Sequence, residues 1–125
     1  MDLETWDTGN VILVRPLSKH LDAYSAISFD KKIKELIEES NPNIVLNLSL
    51  LAYMDSEGFQ QLIESIRLIK SQQGDVVIFG LSPEVIDTIN LNPLFGELEI
   101  YESEGKAVEA LEARLKKKKE DRYNR

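Results

Sequence analysis

The sequence is expected to fold as an α/β domain, a mixed and mostly parallel β-sheet of about five strands with about four helices. Two observations predict it. Short apolar runs, Val11–Val14, Ile44–Leu48 and Val76–Phe79, alternate with segments whose apolar residues recur at helical spacing. Strands that alternate with helices imply parallel neighbours joined by right-handed crossovers. A third observation bounds the size: 125 residues at 42% hydrophobic fill one core and are short for two.

Taken in order, Leu3 to Asp7 reads as an edge strand turned by Gly9-Asn10 into a second, antiparallel strand, which makes the sheet mixed. That second strand, Val11–Val14 with Leu17, is apolar on both alternating faces, so it should be covered on both sides and closed by Pro16. Asp22 can cap a first helix whose inward face is Ala26, Phe29 or Ile33, Leu36 and Ile37, ending before Asn41-Pro42. Asn43 to Leu51 is the next strand. A helix from Ser56 to about Gln73 follows, with Gly74 as its stop. Val76–Phe79 is a buried strand. Ser82-Pro83-Glu84 then supplies a cap, a proline in the first turn and an acid at the positive dipole end. Leu98–Tyr101 is a last strand, and Ser103 caps a final helix with Ala107, Val108, Leu111 and Leu115 inward. The domain is expected over residues 1–115, with 116–125 a frayed or disordered basic tail.

Charge is unevenly spread. The net charge is −7, and Arg114 to Arg125 carries seven basic residues against Glu120 and Asp121, a local +5 that leaves −12 for the rest. An acidic body argues against a nucleic-acid surface. With no cysteine, disulfides and thiolate metal sites are excluded. No apolar run approaches the ~18 residues of a membrane span, and Met1 to Asp7 resembles no signal peptide, so a cytoplasmic home is expected.

Catalytic chemistry finds little support. His20 is the only histidine, and it falls in a loop. The glycines are isolated and build no phosphate cradle. A phospho-accepting receiver domain would need an acidic pair after the Val11 strand and a lysine after the Phe79 strand, and neither is present. No cofactor, no metal site and no enzymatic activity is expected.

The informative stretch is Asn47 to Phe59. An apolar strand breaks off at Asp55, and Ser56 opens a segment with Phe59, Leu62, Ile63, Ile66 and Ile69 at helical spacing. Ser56 is expected at the N-cap, its oxygen accepting from the amide of Gly58 or Phe59, where the helix dipole favours negative charge. Such a hydroxyl is placed to receive phosphate; it also reads simply as a cap. Asn47 and Ser49 should hydrogen-bond locally, and Trp6 and Tyr53 are expected to pack.

From Ile44 onward the chain resembles a STAS domain of the anti-sigma factor antagonist type. The resemblance rests on Ile44–Leu48, Tyr53-Met-Asp-Ser56 with Gly58, the amphipathic helix, Gly80-Leu-Ser-Pro83, Leu94-Phe95, and Leu21-Asp22 ahead of the first helix. It implies a switch protein in a partner-switching system. Unphosphorylated, such a protein binds an anti-sigma factor that is also an ATP-dependent serine kinase; phosphorylation releases it, and a phosphatase reverses the mark. Carried onto this chain, the resemblance makes Ser56 the phosphoacceptor and Asp22, Asp55, Glu57 and Gly58 partner-binding residues. Two departures stand out: Glu57 replaces the family's second Ser or Thr, and Gly-Leu-Gly becomes Gly58-Phe59-Gln60. They leave open a second reading, a STAS module that is never phosphorylated and serves as a scaffold or ligand sensor.

Overall fold

The computed structural model describes residues 1–39 and 43–123. A five-stranded sheet carries β1 (Leu3–Asp7), β2 (Ile12–Pro16), β4 (Asn43–Asn47), β6 (Asp75–Phe79) and β7 (Ile100–Tyr101), in that spatial order. Two further strands, β3 (His20–Leu21) and β5 (Tyr53–Met54), form a separate parallel ladder. Helices α1 (Ala23–Glu39), α2 (Ser56–Ser71), α3 (Pro83–Ile89) and α4 (Glu104–Tyr123) complete the chain, with a 3-10 turn at Pro93–Glu97. As expected, β1 runs antiparallel to β2 and all other pairings in the sheet are parallel.

Both sheet faces are covered over the central strands, which is why β4 and β6 are apolar without alternation. Ile12, Val14, Ile44, Leu46, Val76 and Ile78 face α1, α2 and α3, where Phe29, Phe59, Leu62, Ile63, Val85 and Ile89 close the larger core. Val11, Val45, Val77 and Phe79 face α4 and meet Ala107 and Leu111. Arg114 of α4 reaches back to the sheet edge and donates to both the buried Asp75 and Glu99, pinning the helix across the strands.

Several boundaries move, each for a local reason. The β4 strand ends at Asn47 rather than Leu51, because the Asn47 amide oxygen accepts from the Ser49 N–H (2.9 Å) and turns the chain. Helix α2 stops at Ser71. Gln73, not Gly74, takes the left-handed conformation (φ 65°), and the Gly74 amide closes onto the Ile69 carbonyl at 3.0 Å. The last strand begins only at Ile100, the 3-10 turn having taken the chain up to Glu97. Helix α4 continues through the lysine run to Tyr123 instead of fraying after Leu115, since lysine, glutamate and arginine propagate a helix and no breaker intervenes. The expected stop of the first helix at Asn41-Pro42 lies outside the described residues. Trp6 and Tyr53, expected to pack, are exposed.

Candidate functional site

The site is built by the small β3–β5 ladder. His20 pairs with Tyr53 and Leu21 with Met54, and the Ala52 and Tyr53 amides both donate to the Lys19 carbonyl, at 2.8 and 3.0 Å. Each strand runs into an aspartate that starts a helix, Asp22 into α1 and Asp55 into α2. The ladder therefore sets two helix N-termini side by side at one end of the domain. The loop after β6 lies against the turn between β4 and β5, for Gly80 (φ 88°) approaches so closely that a Cβ there would lie 2.9 Å from the Ser49 amide.

Asp22 is the N-cap of the first pair. Its Oδ1 accepts from the Tyr24 and Ser25 amides at 3.1 and 2.9 Å, and its own N–H donates to Ser25 Oγ at 2.9 Å. The Ser25 amide is the main reason the Asp22 carboxyl is held below the usual carboxylate range; the Ser25 hydroxyl, the Tyr24 amide and His20 add to it.

The second helix corrects the sequence expectation. Asp55, not Ser56, is the N-cap: it is extended (φ −92°, ψ 179°), and its Oδ1 accepts from the Gly58 N–H at 2.8 Å. Its carbonyl takes the Phe59 N–H at 2.9 Å. Backbone pairing explains the shift. Met54 is the last ladder residue and the Asp55 amide still donates to the Leu21 carbonyl (3.3 Å), so Asp55 is the last extended residue and its carboxylate meets the helix start. Ser56 becomes the first helical residue. It is exposed, and among the described residues its hydroxyl makes no hydrogen bond. With Gly58 and Phe59 satisfied by Asp55, the Ser56 and Glu57 amides at the helix start have no intrahelical partner.

Glu57 is exposed on the same turn, whereas Gly58 is buried beneath it. A Cβ on Gly58 would stand 1.9 Å from the Leu21 carbonyl oxygen, so this glycine lets α2 lie directly against the ladder. It supports the site from below. Gln60, where the second glycine of the family pattern is missing, is exposed and reaches Glu64 at 3.5 Å.

Around this acidic and hydroxylic centre lie apolar side chains that composition alone did not mark. Tyr24 and Ile27 on α1 are 90% and 75% exposed. Tyr53, half exposed, stands edge-on to the His20 ring at 5.9 Å. Tyr24 and Ile27 were detectable as apolar residues off the Ala26, Phe29 and Ile33 stripe. The ladder itself, two residues a strand, leaves no periodic trace. Among the described residues no cluster of three metal-ligating side chains occurs, and no helix is long and apolar enough to cross a membrane.

A family model for the STAS domain matches residues 4–107. The chain belongs to the STAS domain family. It is 30% identical over 113 residues to an anti-sigma F factor antagonist of Paenibacillus polymyxa, covering 90% of this chain and 96% of that one. In structure it is similar to an anti-sigma factor antagonist from Mycobacterium paratuberculosis (TM-score 0.75, 21% identity, 89% of this chain and 93% of that one). It is also similar to the anti-sigma factor antagonist SpoIIAA in its unphosphorylated form (TM-score 0.71, 18% identity, 90% and 97% covered). The phosphorylated form, described as a Bacillus cell fate determinant, matches at TM-score 0.63, again with 18% identity and with 88% and 99% covered. None of these relatives is named as an enzyme.

Proposed function

We propose that this STAS protein is a cytoplasmic anti-sigma factor antagonist that works as a phospho-switch. With Ser56 unmodified it binds an anti-sigma factor that doubles as a serine kinase, through the surface formed by Asp22, Asp55 and Glu57 above Gly58; phosphorylation of Ser56 releases it, and a phosphatase resets it. One observation carries the reading: the Ser56 hydroxyl is exposed and unengaged, because Asp55 has taken the capping role. A capping serine would have its oxygen committed to the backbone. The names of the relatives, and the existence of SpoIIAA in both phosphorylated and unphosphorylated forms, support the same reading.

The energetics fit a local switch. A phosphoserine brings about −1.5 to −2 charge, and at the first position of α2 that charge meets free amides and the positive dipole end, so the domain itself tolerates it. The partner does not. A dianion between Asp55 and Glu57 must be desolvated on docking, and each ~1.4 kcal/mol of that penalty weakens the complex tenfold. Exposed Tyr24, Ile27 and Tyr53 supply the apolar anchors that such a docking surface uses.

The test is incubation with ATP and the anti-sigma factor kinase from the same genome, followed by phosphosite mapping and measurement of complex formation. Label at Ser56, its loss in Ser56→Ala with binding retained, and weakened binding in the phosphorylated protein are the expected results. A second reading, the unphosphorylated scaffold or ligand sensor, is favoured by Glu57, which places a permanent charge in the first turn of α2. It would be chosen if no label enters Ser56 while Ser56→Ala leaves partner affinity unchanged.

A further inference from the structure

The face of the sheet opposite the Ser56-side helices is only partly covered. Helix α4 lies over β4, β6 and β7, and beside it the outward residues of β1 and β2 remain open: Trp6 is 71% exposed and Leu13 only partly buried. Two hollows of about 690 and 670 Å³ run along this side of α4, sharing Leu13 and Glu104 as walls. The helix also outruns its own domain. Leu115 is its last residue packed on the core, and every residue from Lys116 to Tyr123 is exposed. These last turns border a shallow hollow beside Gly9 and Asn10, lined by Lys118, Lys119 and Arg122, but bury none of their own side chains.

The sequence along the exposed edge of α4 says what fits there. Gly105, Glu109, Glu112, Lys116, Lys119 and Tyr123 recur at three- and four-residue spacing and so form one stripe. The acids occupy its first half and the lysines its second. Among the described residues none of these four charges is in an ion pair, and Tyr123 is 93% exposed. The stripe is complementary to itself when reversed. A two-fold axis beside Arg114 sets Glu109 against Lys119 of a second copy, Glu112 against Lys116, and Tyr123 over the bare backbone of Gly105. Each contact then occurs twice, as an isologous interface requires.

We propose that two copies of this chain associate through antiparallel α4 helices, each helix lying in the open groove beside α4 of the other, near Trp6 and Leu13. The net charge of −7 opposes approach of two copies, so the dimer is weak and depends on this local match. The surface lies on the other side of the sheet from Ser56, which leaves the proposed switch site free in the dimer.

Sedimentation velocity on the full chain, from about 10 to about 300 µM, tests this by mass action. The wild type should pass from monomer to dimer, and emission of Trp6, the one tryptophan, should shift to the blue as it does. Glu109→Lys/Glu112→Lys makes the stripe wholly basic and Lys116→Glu/Lys119→Glu makes it wholly acidic. Each alone should self-associate at least tenfold more weakly, and an equimolar mixture of the two should regain a dimer. All four positions are exposed, and circular dichroism confirms that the variants stay folded. A wild type that stays monomeric throughout overturns the proposal, as does a dimer indifferent to both reversals or a mixture that fails to pair. So does a monomer whose lysines instead bind phosphatidylserine vesicles or duplex DNA.

Discussion

Replacing Gly58 with alanine adds one methyl group at the point where α2 meets the ladder. The new Cβ would lie 1.9 Å from the Leu21 oxygen and 2.5 Å from its carbon, whereas real Cβ atoms stay beyond 3.0 Å, so something must retreat by at least 3.0 − 1.9 = 1.1 Å. The obstacle is backbone and cannot swing aside. Leu21 is in the core, and its carbonyl also accepts the Asp55 amide, so a retreat loosens the ladder and the cap together. Overpacking of this kind costs about 1–3 kcal/mol, and a weakened hydrogen bond about 0.5–1.5 kcal/mol more. Against this, alanine gains at most about 1 kcal/mol of helix propensity over glycine. The strain wins, and a net loss of about 1–3 kcal/mol is expected, read as a lower urea midpoint at unchanged slope. Gly105→Ala, measured in dilute solution, is the matched control. It sits in the first turn of α4 with no atom within 4 Å of its Cβ, so only the propensity gain remains and the midpoint should rise. If Gly58→Ala is as stable as the wild type, α2 does not rest on the Leu21 carbonyl and the account of the site's architecture is wrong.

Asp55→Ala should cost about 1 kcal/mol of stability as a lost N-cap, while Ser56→Ala changes it by no more than a few tenths; equal losses would return the capping role to the serine. Arg114→Met keeps most of the stem but leaves Asp75, 8% exposed, without its charged donor, and a loss of about 1.5–3 kcal/mol in the urea midpoint analysis is expected. Asp22 has a carboxyl pKa held down by the Ser25 amide, so its contribution to stability is present above the unfolded carboxylate value near ~3.9 and disappears as pH falls through and below it. Asp22→Asn, compared with wild type by thermal melting from about pH 6 to pH 2, should therefore melt lower at the neutral end, with the difference shrinking as pH falls and the acid limb flattened.

Much of the scaffold was legible because periodicity and caps carry it. Ser82 accepts from the Val85 amide with Pro83 following, Ser103 accepts from Lys106, and the doubly apolar β6 strand is buried on both faces, whereas β2, expected to be covered on both sides, leaves Leu13 and Arg15 only partly buried. What escaped was set by tertiary pairing. The ladder is two residues long on each strand, and only the fold brings His20 and Leu21 beside Tyr53 and Met54. The misplaced cap has the same origin: aspartate and serine are nearly equal N-cap residues, so the Asp55-Ser56 pair left the boundary undecided until the Leu21–Asp55 backbone bond fixed it. Gly58 shows a similar limit. Its place in the motif was visible, but the reason for a glycine there is a carbonyl thirty-seven residues earlier in the chain.

That one-residue shift of the cap bears directly on the proposed phospho-switch. Were Ser56 the cap, adding phosphate would replace an engaged hydroxyl, and the modification would act on the stability of α2 as well as on any partner. With Asp55 engaged, the two roles are separated: the carboxylate holds the helix start, and the next hydroxyl is left unengaged for the proposed phosphorylation. The separation also explains why an acidic neighbour is tolerated here. The Asp55 charge is partly neutralised by the Gly58 amide at 2.8 Å, and Glu57 lies in the first turn where the dipole favours an anion. Phosphorylated and unmodified proteins should then melt within a few degrees of each other while differing at least tenfold in partner affinity. A large shift in melting temperature on phosphorylation would mean that the fold itself, and not the docking surface alone, responds to the charge.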